Sequence, residues 1–404
     1  MTEASLGCVL SPYLRPVVED GRLALDHAVA GTVHRLSPLQ ESIVRMLWDP
    51  SAMSGLDALV AREGTDAVAD ALAGLLGDGV LFPDLEQCEA WIDSKLVQGC
   101  PSVPFVDQIE LTNTCPMRCQ FCPRGVAGRM KRPTGFMDLE LYKKLLGQLN
   151  PTQSRYRPLE LHHLGESLLH PQVVAFVQEA SARGIPSEMS VNPSLLTPSL
   201  ARGLIQGGLQ RLVLSLDGMD DETLVGLRGP AARYSLAERN IDALLEQVAR
   251  APKPPTVVIQ MLDLQRNRRQ QPAFLARWAA TGLPTVHAYV KDLDGPDPDS
   301  AQASGRPTRY LCTYPWRSVV VLWDGRVVPC CRDADGDCVI GDLHQQSLEQ
   351  LWHDKPVRSL RAALASRTFP QGHPCLHCGW RRDQFAAAMQ ERHPDHAAPN
   401  PLRW

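Results

Sequence analysis

The stretch Leu111-Thr-Asn-Thr-Cys-Pro-Met-Arg-Cys-Gln-Phe-Cys-Pro-Arg124 places thiols at Cys115, Cys119 and Cys122, directly after the run Val106-Asp-Gln-Ile-Glu-Leu111. A Cys-x3-Cys-x2-Cys spacing supplies three thiolates from one loop. Three thiolates fill three corners of a four-iron cluster and leave one iron open, where a cofactor or substrate can bind. The competing reading is a zinc site, which usually takes four protein ligands with Cys-x2-Cys spacing. The open iron makes the loop a chemical site and not a staple.

Around this loop, from about 102 to 290, strand and helix patterns alternate. Val106–Leu111, Leu159–Leu164, Pro186–Val191, Arg211–Leu216, Thr256–Met261 and Thr285–Val290 read as strands, and Asp138–Leu149, Gln172–Ala182 and Leu236–Val248 as helices between them. Six β/α units predict an α/β fold, a partial (β/α)6 TIM barrel over 102–300, with function at the C-terminal ends of its strands. A Pro-, Gly- and Asp-rich segment at 291–307 reads as a linker, 308–386 as a compact cysteine-containing domain, and 387–404 as a tail.

The chain has 404 residues, 44% hydrophobic and 21% charged, with a net charge of −4, the balance of an ordinary globular protein of two or three domains and not of a basic nucleic-acid binder. Neither a membrane-length apolar run nor a charged-then-apolar leader is present, so the expectation is a cytoplasmic protein with no membrane partner. Twelve cysteines is a high count for a reducing compartment, where clustered thiols serve more often as metal ligands than as disulfides.

Residues 1–88 read as a separate unit. Leu23-Ala-Leu and Thr32–Leu36 are strand candidates, Ser37-Pro-Leu-Gln-Glu41 opens a helix, and two more helices fit Gly55–Arg62 and Asp66–Leu76, a winged-helix-like pattern. A winged helix can bind DNA. Here five arginines, no lysine and thirteen acidic residues leave −8, which opposes phosphate binding and points to a peptide or protein partner.

With the cysteine loop at the end of a first strand, the chain resembles the radical S-adenosylmethionine superfamily. That resemblance implies a [4Fe-4S] cluster whose open iron chelates S-adenosylmethionine, a 5'-deoxyadenosyl radical formed by reductive cleavage, and a flavodoxin- or ferredoxin-type electron donor. Phe121 matches the aromatic position that packs on the adenine. Leu164-Gly165-Glu166-Ser-Leu-Leu-His-Pro171 resembles the Gly-Gly-Glu-Pro motif, with Gly165 and Glu166 holding the methionine amino group, although Leu164 replaces the first Gly and Ser167 the Pro. Asn192 stands where relatives have Thr-Asn-Gly, with Pro193 in place of the glycine. Ser215-Leu-Asp217-Gly218 matches Ser-x-Asp-Gly, and Arg228 follows as a carboxylate partner.

Cys312, then Gly325 and Cys330, then Cys375-Leu-His-Cys378 resemble the auxiliary-cluster domains of SPASM and Twitch type. A full SPASM set needs another cysteine at 384, which is Gln, so a single second [4Fe-4S] cluster on Cys312, Cys330, Cys375 and Cys378 is implied. Its role is structural or that of an electron acceptor. Cys331 and Cys338 are left over, as spare buried thiols or as hydrogen-atom donors to a substrate radical. Arg124, Arg129, Lys131 and Arg132 form a basic run that is a solvated loop or faces an anionic substrate. One of His162 and His163 points inward by alternation, and Tyr289 and Lys291 end the sixth strand within reach of substrate.

The N-terminal unit resembles the peptide-recognition domain shared by the pyrroloquinoline-quinone peptide chaperone and enzymes that modify ribosomal peptides, which implies capture of a precursor peptide as an added strand. The favoured substrate is therefore a ribosomally made peptide undergoing crosslinking, epimerisation or oxidation. The alternatives are oxidation of a small molecule such as an aminocyclitol or sugar, and, outside enzymes, an iron-sulfur regulatory sensor.

Overall fold

In a computed structural model of the chain the described residues are 8–11, 14–19, 22–27, 32–48, 55–98, 100–125, 130–153, 158–292, 312, 314–365 and 369–378. The expected linker beyond 292, the tail from 387 and Arg129 lie outside them.

Strands β2 (Leu14–Glu19), β3 (Arg22–His27) and β4 (Thr32–Arg35) form an antiparallel sheet in the order β2-β3-β4. The strand candidates at 23–25 and 32–36 thus lie in a sheet of three strands. Helix Pro38–Trp48 starts on a reciprocal cap. Gln40 N donates to Ser37 Oγ at 3.2 Å and Ser37 N to Gln40 Oε1 at 3.0 Å. Gln40, not Glu41, is the capping partner, and Glu41 pairs with Arg45 one turn on at 2.7 Å. Helices Gly55–Glu63 and Thr65–Gly77 follow, and Leu25, Ile43, Val44, Leu75, Val80 and Leu81 close a first core. The short strand β1 (Val9–Leu10) pairs antiparallel with β5 (Leu81–Phe82). Helix Leu85–Gln98 then runs through position 88, and Phe82, Cys88 and Ile92 pack into the larger core of the rest of the molecule.

That larger core lies on one face of a nine-stranded sheet. Strands β6 (Phe105–Ile109), β7 (Leu159–Glu160), β8 (Ser187–Val191), β9 (Arg211–Ser215), β10 (Thr256–Asp263) and β11 (Val286–Asp292) are parallel and adjacent in chain order. Each step between neighbours passes over the same face, which carries the helices 139–146, 173–182, 198–207, 234–250 and 271–278. Tyr142, Phe176, Phe274 and Trp278 are fully buried there. The pleat sorts the strands: on β8, Met189 and Val191 join the core while Glu188 and Ser190 stay half-buried on the other face. The sheet is a partial barrel. Its edges among the described residues are β11 at one end and β14 (Gly341–Asp342) at the other.

The C-terminal part is joined to this sheet. Strand β12 (Ser318–Val321) runs parallel to β6 on the side away from β7, and β13 (Arg326–Val328) and β14 continue antiparallel. Asp107 lies at the register shift between β6 and β12 and accepts a hydrogen bond from Ser318 Oγ at 2.7 Å. Helices Leu348–His353 and Lys355–Ala365 complete the packing, with Trp352 fully buried.

Candidate functional site

The cysteine loop leaves the C-terminal end of β6 and is tied down on both flanks. On one side Met137 N donates to Leu111 O at 2.8 Å, Thr112 Oγ1 to Gly135 O at 2.6 Å and Asn113 Nδ2 to Pro133 O at 2.8 Å. On the other, Arg118 N donates to Arg228 O at 2.8 Å and Gln120 N to Leu227 O at 3.1 Å. Within the loop Cys122 N reaches Cys119 O and Gly125 N reaches Cys122 O, at 3.1 and 2.9 Å. A Cβ on Gly125 would stand 2.0 Å from Cys119 O, so only glycine closes this turn.

Burial pushes the Cys115 thiol up to about 12, with Glu166, Cys119 and Cys122 adding to the rise. Burial likewise lifts Cys119 to about 11, while Arg228 pulls it down. The three thiols therefore sit close together beside Glu166, Asp217 and Arg228. Among the described residues no three His, Cys, Asp or Glu side chains are set to hold a single metal ion.

The loop after β7 presses against the cysteine loop. Gly165 has φ +88° and a Cβ there would lie 2.2 Å from Thr112 O, and Glu166 N donates to Thr114 O at 2.8 Å. The buried Glu166 carboxylate accepts from Asn192 N at 2.8 Å and Leu168 N at 3.2 Å, and burial lifts it to about 7. Asn192 caps the next turn through Oδ1, accepting from Ser194 N at 2.9 Å. Its Nδ2 is buried with no hydrogen-bond partner. A carboxylate wanting a cation and an amide donor wanting an acceptor thus stand side by side. The ammonium and carboxylate of an amino-acid moiety, such as the methionine end of S-adenosylmethionine, satisfy both.

Asp217 and Arg228 are joined by a buried ion pair of 2.5 Å. Burial works against the Arg228 charge, but Asp217 and Cys119 more than offset it and raise its pKa. Asp217 Oδ1 also accepts from Leu262 N at 2.8 Å, and the Arg228 guanidinium lies 5.5 Å from the Phe121 ring. The pair braces the cysteine loop against the ends of β9 and β10.

Ser215 belongs to a polar ladder across the strands, on the face away from the helices. Its Oγ is 3.4 Å from Ser190 Oγ and accepts from Gln260 Nε2 at 3.3 Å, and Tyr289 OH donates to Gln260 Oε1 at 3.0 Å. Lys291 stands two residues beyond Tyr289 on β11. Gln108 and Glu160 in the other half of the wall escaped the sequence reading, which had singled out only the neighbouring His162 and His163: Gln108 donates to Glu160 Oε2 at 2.6 Å, and Glu160 lies 3.6 Å from His162 Nε2. Half-buried polar residues recurring on one face of successive strands were the available signal. His162 Nδ1 accepts from Ser190 N at 3.2 Å. His163 is 2.8 Å from Gln108 Oε1, its Nε2 is buried with no partner, and burial pushes its pKa down to about 3.

Cys312, Cys330, Cys375 and Cys378 come together from separate segments. Burial pushes Cys312 up to about 12, and Cys378, Cys375 and Cys331 add to it. Burial raises Cys330 too, with contributions from Cys312, Cys331 and Cys378. The two remaining thiols differ in place. Cys331 is 3.9 Å from Tyr314 OH, and its raised pKa, due first to burial, also registers the charges of Asp107 at the β6–β12 seam and of Glu160. Cys338 stands 3.4 Å from His373 Nε2.

Among the described residues the basic run does not form one anion-facing surface. Arg132 is buried and forks onto Glu110 with two bonds of 2.5 Å, while its Nε donates to Ala334 O at 2.8 Å. Burial raises the Glu110 pKa against the pull of that fork. Arg124 donates to Cys115 O at 3.3 Å, and Lys131 N and Arg132 N both donate to Asp335 Oδ1.

Residues 109–261 match the family model of the Radical SAM superfamily, and residues 312–379 match that of the SPASM iron-sulfur cluster-binding domain. The chain is 24% identical over 275 residues to the S-adenosyl-L-methionine-dependent 2-deoxy-scyllo-inosamine dehydrogenase of Niallia circulans, covering 67% of this chain and 91% of that protein. It is 22% identical over 319 residues to the tungsten-containing aldehyde ferredoxin oxidoreductase cofactor-modifying protein of Pyrococcus furiosus, covering 68% and 86%. Among solved structures, Streptococcus suis SuiB bound to precursor peptide SuiA aligns over 93% of this chain and 94% of its own, with 13% identity and a TM-score of 0.49.

Proposed function

We propose, since this chain belongs to the radical S-adenosylmethionine superfamily and is an enzyme of that class, that it abstracts hydrogen from a ribosomally made peptide captured by its N-terminal sheet. Cys115, Cys119 and Cys122 would hold the four-iron cluster, which together with S-adenosylmethionine would supply radical chemistry able to act on unactivated carbon. The chain's own residues position and shield that chemistry. Glu166 and Asn192 hold the amino-acid end of the cofactor, Ser215 and the Arg228 held by Asp217 stand for its carboxylate or ribose, and Phe121 packs the adenine. The polar wall through Gln260 and Tyr289 faces the substrate.

The observation that carries the peptide reading is β4. Among the described residues it pairs with β3 alone and is mostly exposed, with Val33 at 39%. An unpaired strand edge on a unit of net charge −8 offers backbone hydrogen bonds to an incoming extended peptide. Successive residues of a strand point their N–H groups to opposite sides, so one of Val33→Pro and His34→Pro removes an outward donor and spares the β3 ladder, while the other breaks that ladder. With peptides encoded by short reading frames beside the gene as probes, a binding peptide raises 5'-deoxyadenosine yield, and one of Val33→Pro and His34→Pro abolishes that stimulation without changing the basal yield. No stimulation by any such peptide ends the peptide reading.

A second reading is favoured by the ladder of Ser190, Ser215, Gln260 and Tyr289, whose alternating donors and acceptors suit a polyhydroxylated small molecule. The dehydrogenase relative names one such class. Turnover of 2-deoxy-scyllo-inosamine by the Val33 and His34 variants at the parental rate supports this reading over the first.

A further inference from the structure

Two adjacent histidines on the polar wall carry their ring protons on opposite nitrogens. On His162, Nδ1 accepts from Ser190 N at 3.2 Å, so the proton sits on Nε2, which faces Glu160 Oε2 at 3.6 Å. On His163 the order is reversed. Gln108 donates through Nε2 to the Glu160 carboxylate at 2.6 Å, which turns its own oxygen toward His163. An amide oxygen only accepts, so His163 Nδ1, 2.8 Å away, is the donor, and the lone pair is left on Nε2. Burial keeps this ring neutral by pushing its pKa down to about 3, with Arg132 and His162 adding to the fall.

Among the described residues the buried Nε2 of His163 has no hydrogen-bond partner. A buried acceptor left open is costly, and a donor group relieves the cost. The place of the ring in the fold indicates which donor. His163 lies just beyond β7 and just before Gly165, where a Cβ would stand 2.2 Å from Thr112 O beside the cysteine loop. Its other nitrogen is anchored by Gln108 in the wall that continues through Ser190, Ser215, Gln260 and Tyr289. The ring thus joins the loop that carries Glu166 to the wall, the interval where the reacting carbon of a substrate has to lie.

We propose that His163 Nε2 binds substrate by accepting a hydrogen bond from a hydroxyl, ammonium or amide N–H, and that Gln108 is the positioning residue that keeps this nitrogen unprotonated. The site therefore selects by chemistry. A donor satisfies the ring, whereas a carboxylate, ether or carbonyl oxygen in the same place would set acceptor against acceptor. The proposal rests on the radical enzyme class and holds for a peptide or a small molecule.

The test uses the full reconstituted chain in its oxidised state, isotopically labelled at the histidine ring nitrogens and read by two-dimensional NMR. His163 is identified by its loss in His163→Phe. A nitrogen bearing a proton and one bearing a lone pair resonate far apart, so the spectrum gives the tautomer directly. The parent should show the proton on Nδ1, and Gln108→Met should let it move to Nε2. S-adenosylmethionine alone should leave Nε2 in place. Adding 2-deoxy-scyllo-inosamine, or a peptide encoded by a short reading frame beside the gene, should then move Nε2 toward its hydrogen-bonded position with Nδ1 unchanged. His163→Phe and Gln108→Met should each weaken binding of that probe roughly tenfold at an unchanged affinity for S-adenosylmethionine, which also shows that the variants are folded. A proton on Nε2 in the parent, a tautomer untouched by Gln108→Met, a shift produced by S-adenosylmethionine alone, or no shift with any probe overturns the proposal. A shift with the small molecule and none with the peptides supports it while counting against the peptide reading, so the two fail separately.

Discussion

Glu166 is buried, accepts two backbone N–H groups and is lifted by burial to about 7, so in the cofactor-free protein its charge is costly and an ammonium group would relieve that cost. Glu166→Gln keeps the shape and removes the charge. A charge-assisted hydrogen bond contributes about 1.5–3 kcal/mol, so S-adenosylmethionine should bind roughly 10- to 100-fold more weakly, as calorimetry on the reconstituted protein would register. The carboxyl is neutral below about 7 and ionised above it, so the parent's affinity rises with pH through that value and the variant's profile is flat. A parental affinity in the variant would place the ammonium elsewhere. Glu166 and Asn192 were legible because each sits at a fixed offset from a hydrophobic strand. The unpartnered Nδ2 of Asn192 was not, since satisfaction of a donor depends on what the fold brings opposite it.

Between elements, the Arg132–Glu110 fork joins the end of β6 to the loop beyond the cysteines, and Arg132 Nε bonds Ala334 in the segment between Cys330 and Cys338. Both side chains are essentially inaccessible to solvent. Arg132→Met strands a buried carboxylate and should cost about 3–5 kcal/mol, seen as a lowered Tm and denaturant midpoint. Combining it with Glu110→Gln should recover most of the loss, because the neutral side chain can still accept from Trp323 N, now at 3.3 Å from the carboxylate. A double variant no more stable than the single would mean that the fork is not the source of the cost. From the sequence Arg132 was one of four basic residues in a loop. Its burial follows from a contact between positions about two hundred residues apart, which no local pattern encodes.

At the scale of the whole molecule two cores meet near Trp91, with Phe82 and the His27 ring packed on it at 5.4 and 5.0 Å. His27 is fully buried, 3.0 Å from Ser11 Oγ, and burial pushes its pKa down to about 4 from an ordinary 6.5. The unfolded chain therefore binds the proton more readily than the folded one between those values. Stability is fully present above about 6.5 and falls as pH drops toward about 4, by on the order of 3 kcal/mol. Hydrogen exchange resolved by segment should show β2–β4 losing protection across this window ahead of β6–β11, and His27→Gln should blunt the effect. Equal loss in both sheets would show that the joint does not divide the molecule. The sequence alone determined the order of the six parallel strands, the cysteine triplet and the placing of acid, amide and hydroxyl at strand ends, because pleat period and short-range spacing are local properties of the chain. Only the tertiary structure decided that β12 extends the same sheet, that Arg132 is buried, and that a polar wall spans the strands. Each of these depends on which distant segments occupy the same space once the apolar faces are packed.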